Sequence, residues 1–157
     1  HGLIDAEKAI AKSCNVAAAK WALGVGRDEF VGFLNALHLF EKTDLGLPGE
    51  MGGDYNEKEY AKPLQLAQFG FGQSMTVTPA RLAAAFGMVA NKGVYRAPRL
   101  IDSIGDVEVT PSEGDQVLST ATCERVMRHM EAVIESDFGT GKDLRIPGYR
   151  LAGKTGT

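Results

Sequence analysis

The sequence has 157 residues, a net charge of −3, 44% apolar and 24% charged side chains, which is ordinary for a globular domain able to bury a sizeable core. It has no clustered basic face of the kind nucleic acid requires, and no apolar run near the ~20 residues needed to cross a bilayer. Cys14, Cys123 and the histidines His1, His38 and His129 are scattered without metal-ligand spacing. No metal or cofactor is therefore expected, and both cysteines read as small buried residues or free thiols.

Asp5 is placed to cap a short helix running to Lys12, with Ala6, Ala9 and Ile10 on one face. Ser13-Cys14-Asn15 interrupts it. Residues 16–23 resume as an alanine-rich helix ended by Gly24 and Gly26. Asp28 is expected to cap a third helix with Phe30, Val31, Leu34 and Leu37 as its core stripe. Over 44–56, Gly46, Gly49, Gly52, Gly53 and Pro48 indicate a surface loop. Pro63 suits the first turn of a helix carrying Leu64, Leu66, Ala67 and Phe69. Gly70-Phe71-Gly72-Gln73 has no Gly-Lys-Ser/Thr after it, so it reads as a structural turn and not a phosphate loop. It leads into the β-prone Met75-Thr76-Val77.

Thr78 as cap and Pro79 at the first position open the clearest helix, apolar over 82–89 and stopped by Gly93. Residues 100–109 alternate loosely and predict one or two strands. Ser119 or Thr120 should cap a long amphipathic helix with Val126, Met130, Val133 and Ile134 inward. Glu131 and Glu135 on that helix read as a solvated face, and Arg81 as a residue pairing locally. Gly139-Thr140-Gly141 opens a loop, and 149–157 reads as a strand. This order predicts an α+β fold. The start without Met and the stop inside a strand read as cuts within a larger protein, so 1–157 is expected to be one incomplete domain.

Two short motifs carry chemistry. Ser13-Cys14-Asn15 is a Ser-x-Asn at a helix junction, and Lys154-Thr155-Gly156 is a Lys-Thr-Gly on the final strand. Alone, the first is an ordinary helix cap and the second a strand entering a turn. Together and in this order, they match two of the three motifs of serine acyl transferases, Ser-x-x-Lys, Ser-x-Asn and Lys-Thr-Gly.

The likeness continues through Ala11-Lys12-Ser13-Cys14-Asn15-Val16-Ala17, Phe71-Gly72-Gln73-Ser74-Met75-Thr76-Val77-Thr78-Pro79 and Ala90-Asn91-Lys92-Gly93-Val94-Tyr95. It ends in Ile146-Pro147-Gly148-Tyr149-Arg150-Leu151-Ala152-Gly153-Lys154-Thr155-Gly156-Thr157. Over nearly its whole length the chain resembles a class B penicillin-binding protein, nearer the division branch than the elongation branch. The resemblance implies part of a serine β-lactamase-like transpeptidase domain, a helical lobe with strands of an antiparallel sheet.

It also implies a D,D-transpeptidase that cross-links peptidoglycan stem peptides ending in D-Ala-D-Ala and is acylated by β-lactams, at the outer face of the bacterial cytoplasmic membrane. Divisome or elongation proteins are the implied partners. By the same resemblance Ser13 relays a proton, Asn15 holds the base lysine and the substrate amide, and Lys154 is a cation beside Ser13. Thr155, with Gly156 and Thr157, binds the substrate carboxylate, and the Thr157 N–H forms half of an oxyanion hole.

One departure qualifies this. None of the six serines has a lysine three positions later, so the nucleophile and its base are absent from these residues. They are expected in an upstream segment, in the same polypeptide or as a second chain, and residues 1–157 alone are expected to be inactive. A serine β-lactamase is a second reading, but Val31-Gly32-Phe33-Leu34-Asn35 has valine where the Glu-x-x-Leu-Asn glutamate would activate water. A β-lactam receptor would carry Ser-x-Val, which Asn15 opposes. A structural fragment with vestigial motifs is opposed by intact Ser13, Asn15, Lys154 and Thr155.

Overall fold

A computed structural model describes residues 2–56 and 62–156. The α+β expectation holds. Among the described residues, six α-helices are interleaved with short strands, which pair antiparallel as three two-stranded ribbons.

Asp5 caps α1 (Ala6–Ala11), its carboxylate accepting the Lys8 N–H at 2.8 Å. Helix α2 (Asn15–Val25) follows after three residues, and Gly26 ends it at φ 89. The third helix, α3 (Arg27–Ala36), starts directly from Gly26. Asp28 is thus not its cap. It lies in the first turn, where a carboxylate suits the helix dipole, and pairs with Arg27 at 3.1 Å. The segment over 44–56 is largely irregular, as expected, but its end forms β1 (Asp54–Tyr55). Pro63 begins α4 (Pro63–Gly70), which buries Leu66 and Phe69, whereas Leu64 faces solvent. Gly70 meets α2 so closely that a Cβ would collide with the Ala18 carbonyl, and this explains a glycine at that helix end.

After the turn, β2 (Met75–Thr76) pairs with β1 in the register Asp54↔Thr76. Thr78 caps α5 (Pro79–Ala90), accepting the Arg81 N–H at 3.3 Å. The helix closes at Asn91, and Gly93 at φ 93 returns its N–H to the Met88 carbonyl at 2.9 Å. Next, β3 (Val94–Tyr95) pairs with β6 (Asp115–Gln116), while β4 (Ser103–Ile104) and β5 (Val107–Glu108) form a hairpin between them. Ser119, not Thr120, caps α6 (Thr120–Glu135), which buries Cys123, Met130, Val133 and Ile134 and leaves Val126 half-buried. Both cysteines are free thiols, and burial pushes that of Cys123 above its ordinary pKa. A 3-10 helix over Lys142–Leu144 follows.

The main core joins Leu34, Leu37, Leu39, Phe69, Ala85, Met88 and Tyr95. A second contact packs α1 on α6, burying Ala9 and Ala11 opposite the apolar face of α6. Residues 149–156 form no ladder with any described strand, contrary to the strand expectation. A strand exists only by pairing. Here residues 150, 151 and 153 hydrogen-bond to α6 instead.

Arg81 is 5% exposed and reaches much further than a local partner. Its Nε donates to the Glu41 carbonyl at 3.3 Å, and its other nitrogens donate to the Lys42 carbonyl and the Tyr95 hydroxyl. The Glu41 carboxylate lies 3.7 Å away. One buried guanidinium thereby ties α5, β3 and the segment after α3. Arg81→Met strands these acceptors and is expected to lower stability by about 3 kcal/mol, read as a shift of the urea midpoint. A loss below about 1 kcal/mol would mean that water replaces the guanidinium without penalty.

Candidate active site

The site is built where the end of α1 meets the last residues of the chain. The Ser13 N–H donates to the Ile10 carbonyl at 3.0 Å and the Cys14 N–H to that of Ala9 at 2.9 Å, folding the chain sharply between α1 and α2. Ser13 takes up this turn at φ 51, a left-handed conformation that non-glycine residues rarely hold. Helix α2 begins at Asn15, with Cys14 at the cap position and no side-chain capping bond. The helix-cap reading of Asn15 therefore fails. Asn15 stands exposed at the first helical position.

The opposite wall is residues 150–156, strapped along α6 at three points. Arg150 donates to the Glu131 carboxylate at 2.6 Å, the Leu151 N–H to the Glu135 carboxylate at 3.2 Å, and the Gly153 N–H to the Met130 carbonyl at 3.2 Å. Glu131 and Glu135 are thus a clamp on the motif-bearing segment, not simply a solvated face. Their i,i+4 spacing was the available signal, but the partner lies far along the chain.

This strap brings Lys154 to Ser13 across 141 positions, with Nζ donating to the Ser13 Oγ at 2.7 Å. The same ammonium donates to the Thr155 carbonyl at 3.0 Å and reaches the Thr155 hydroxyl at 3.5 Å. Much of the Lys154 side chain faces solvent, yet partial burial holds its pKa below the ordinary lysine value. Among the described residues no carboxylate pairs with it. Gly156 is exposed at the end of the strap, and Thr157 lies outside the described residues.

A third element closes the corner. Beyond α6 the chain turns at Gly139, where a Cβ would collide with the Ala132 and Val133 carbonyls. Thr140 donates its N–H to the Ala11 carbonyl at 3.0 Å and shares a 2.9 Å hydrogen bond with the Thr155 hydroxyl. In sequence, Gly139-Thr140-Gly141 is marked only as the opening of a loop; its contacts to Ala11 and Thr155 are tertiary. Among the described residues there is no group of His, Cys, Asp and Glu able to hold a metal.

Comparison with known proteins identifies the family. The penicillin binding protein transpeptidase domain family matches residues 1–157. The chain is 34% identical over 146 residues to the peptidoglycan D,D-transpeptidase FtsI of Escherichia coli K12, covering 93% of this chain and 24% of that protein. It is 33% identical over 156 residues to the penicillin-binding protein PbpB of Mycolicibacterium smegmatis, again 93% and 24%. Among solved structures, penicillin binding protein 3 of Mycobacterium tuberculosis complexed with aztreonam superposes with a TM-score of 0.84 at 27% identity, over 95% of this chain and 36% of that one. The chain thus spans about a quarter of the length of these curated relatives. Matched over its full length by the family, and by relatives above 30% identity, the chain belongs to the penicillin-binding protein transpeptidase family.

Proposed function

We propose that residues 1–157 supply the Ser-x-Asn and Lys-Thr-Gly walls of a peptidoglycan D,D-transpeptidase site. The supporting observation is the 2.7 Å contact of Ser13 with Lys154, which joins two motifs from opposite ends of the chain. In this reading a serine and a lysine outside these residues provide the nucleophile and its base. The serine attacks the carbonyl between two terminal D-alanines, the second D-alanine leaves, and a second stem peptide's amine takes the acyl group. β-Lactams acylate the same serine. The protein works at the outer face of the cytoplasmic membrane with division or elongation partners. Among the described residues no helix is long and apolar enough to cross a membrane.

The site chemistry follows from its hydrogen bonds. Lys154 donates to Ser13 Oγ, so the Ser13 proton is left free to point at the leaving nitrogen. An ammonium with a lowered pKa returns a proton more readily than an ordinary lysine. Exposed Asn15, free of capping duty, is available to the base lysine and the substrate amide. Exposed apolar side chains such as Val16 and Trp21 are faces for the remainder of the domain to cover.

Three outcomes are expected. First, Lys154→Met in the full-length protein slows acylation by penicillin at least ~100-fold, and Lys154→Arg restores it only in part, because a planar guanidinium does not replace a compact ammonium. Stability should respond differently. The folded-state pKa lies below the unfolded 10.5, so folding is disfavoured while both states are protonated and stability rises with pH from the folded value towards 10.5. Wild type should therefore gain stability relative to Lys154→Met as pH rises towards 10.5; paired melts across pH and stopped-flow acylation check both halves.

Second, Asn15→Ala should leave the melting temperature within about 1 °C, since no cap is lost, while acylation falls. A large drop in melting temperature with unchanged acylation would make Asn15 structural. Third, the 157-residue polypeptide alone should form no adduct with fluorescent penicillin on a denaturing gel. A stable adduct would place the nucleophile within it, with Ser13 the first candidate to mutate.

A further inference from the structure

Thr140 belongs to neither motif, yet it touches both walls of the site. Its N–H is held by the Ala11 carbonyl, two residues before Ser13, at 3.0 Å. Its hydroxyl lies 2.9 Å from that of Thr155, and either oxygen could be the donor. The direction of this hydrogen bond decides what Thr155 can offer a ligand.

A hydroxyl has one proton and two acceptor lone pairs. If Thr155 donated to Thr140, it would face a substrate with lone pairs only and would repel a carboxylate. If Thr140 donates, its proton fills one Thr155 lone pair and the Lys154 ammonium, 3.5 Å away, approaches the other. Among the described residues no other group then accepts the single Thr155 proton, which is left free for a substrate acceptor. From this geometry we infer that Thr140 is a positioning residue, whose hydroxyl donates to Thr155 and so turns the Thr155 proton towards the substrate carboxylate. The inference rests on the reading of Thr155 as a carboxylate-binding residue and adds what orients it. Anchorage at Ala11 keeps Thr140 in register with the serine turn, so the same residue ties carboxylate recognition to the position of Ser13.

The test measures stopped-flow acylation of the full-length protein by benzylpenicillin, which carries a free carboxylate, and by its neutral methyl ester. The ratio of the two rates within one preparation is independent of the fraction folded. Thr140→Val keeps the shape and the backbone N–H but removes the hydroxyl. It should lower the acid-to-ester ratio about tenfold, the scale of one hydrogen bond to a charged group. Thr140→Ser should stay within about threefold of wild type. In a Thr155→Val background, Thr140→Val should have no further effect.

An unchanged ratio in Thr140→Val beside a lowered ratio in Thr155→Val would overturn the positioning role while leaving Thr155 as the carboxylate ligand. Equal slowing of both probes by Thr140→Val would do the same, reducing Thr140 to a structural contact. An unchanged ratio in Thr155→Val would instead remove Thr155 as the carboxylate ligand, and the role of Thr140 with it.

Discussion

Helix α1 lies against α6, and both walls of the site hang from that seam. Ala11, fully buried at the end of α1, presents its carbonyl to Thr140, while α6 offers the Met130 carbonyl to Gly153 and two carboxylates to residues 150 and 151. The small side chains of Ala9 and Ala11 let the helices approach, and well-packed interiors yield little to added volume. A shift of one helix along the other would move Ser13 and Lys154 in opposite senses. Their 2.7 Å contact is thus a consequence of packing several residues away from it.

Among the described residues the site has a polar interior without an internal counter-charge. Lys154 is surrounded by hydroxyl and carbonyl oxygens of Ser13 and Thr155, which accept its protons but do not neutralise it. An uncompensated cation beside donors free to turn outward is well matched to an anionic ligand, and partial burial strengthens the attraction by excluding water. The left-handed Ser13 fits the same pattern, with local strain held by the surrounding hydrogen bonds at a place where a side chain must be aimed.

Away from the site, the Arg81 guanidinium organises the other half of the molecule. It satisfies carbonyls of residues 41 and 42 and the Tyr95 hydroxyl at once, so a charged group becomes tolerable in a buried position. The Ala- and Gly-rich contact of α2 with α4 uses close backbone approach in its place. The two solutions are unlike: a polar one ties α5 to β3 and the segment after α3, and a steric one seats α2, which carries Asn15, on α4.

Local chemistry by itself determined much of this. Asp5, Thr78 and Ser119 cap helices because a side-chain oxygen reaches an N–H three residues on, a contact wholly within the local sequence. The two motifs and their family likeness were legible in the same way, as residue types in order. Tertiary structure alone decided where those motifs meet and what holds them. Residues 149–156 had the composition of a strand, but a strand needs a partner ladder, and α6 supplied their hydrogen bonds instead. Glu131 and Glu135 looked like solvent-facing carboxylates because their ligands lie 19 and 16 positions away. Arg81, Thr140 and the depressed pKa of Lys154 were hidden for the same reason. Burial and long-range hydrogen bonds depend on which surfaces pack together, and no local window of sequence contains that information.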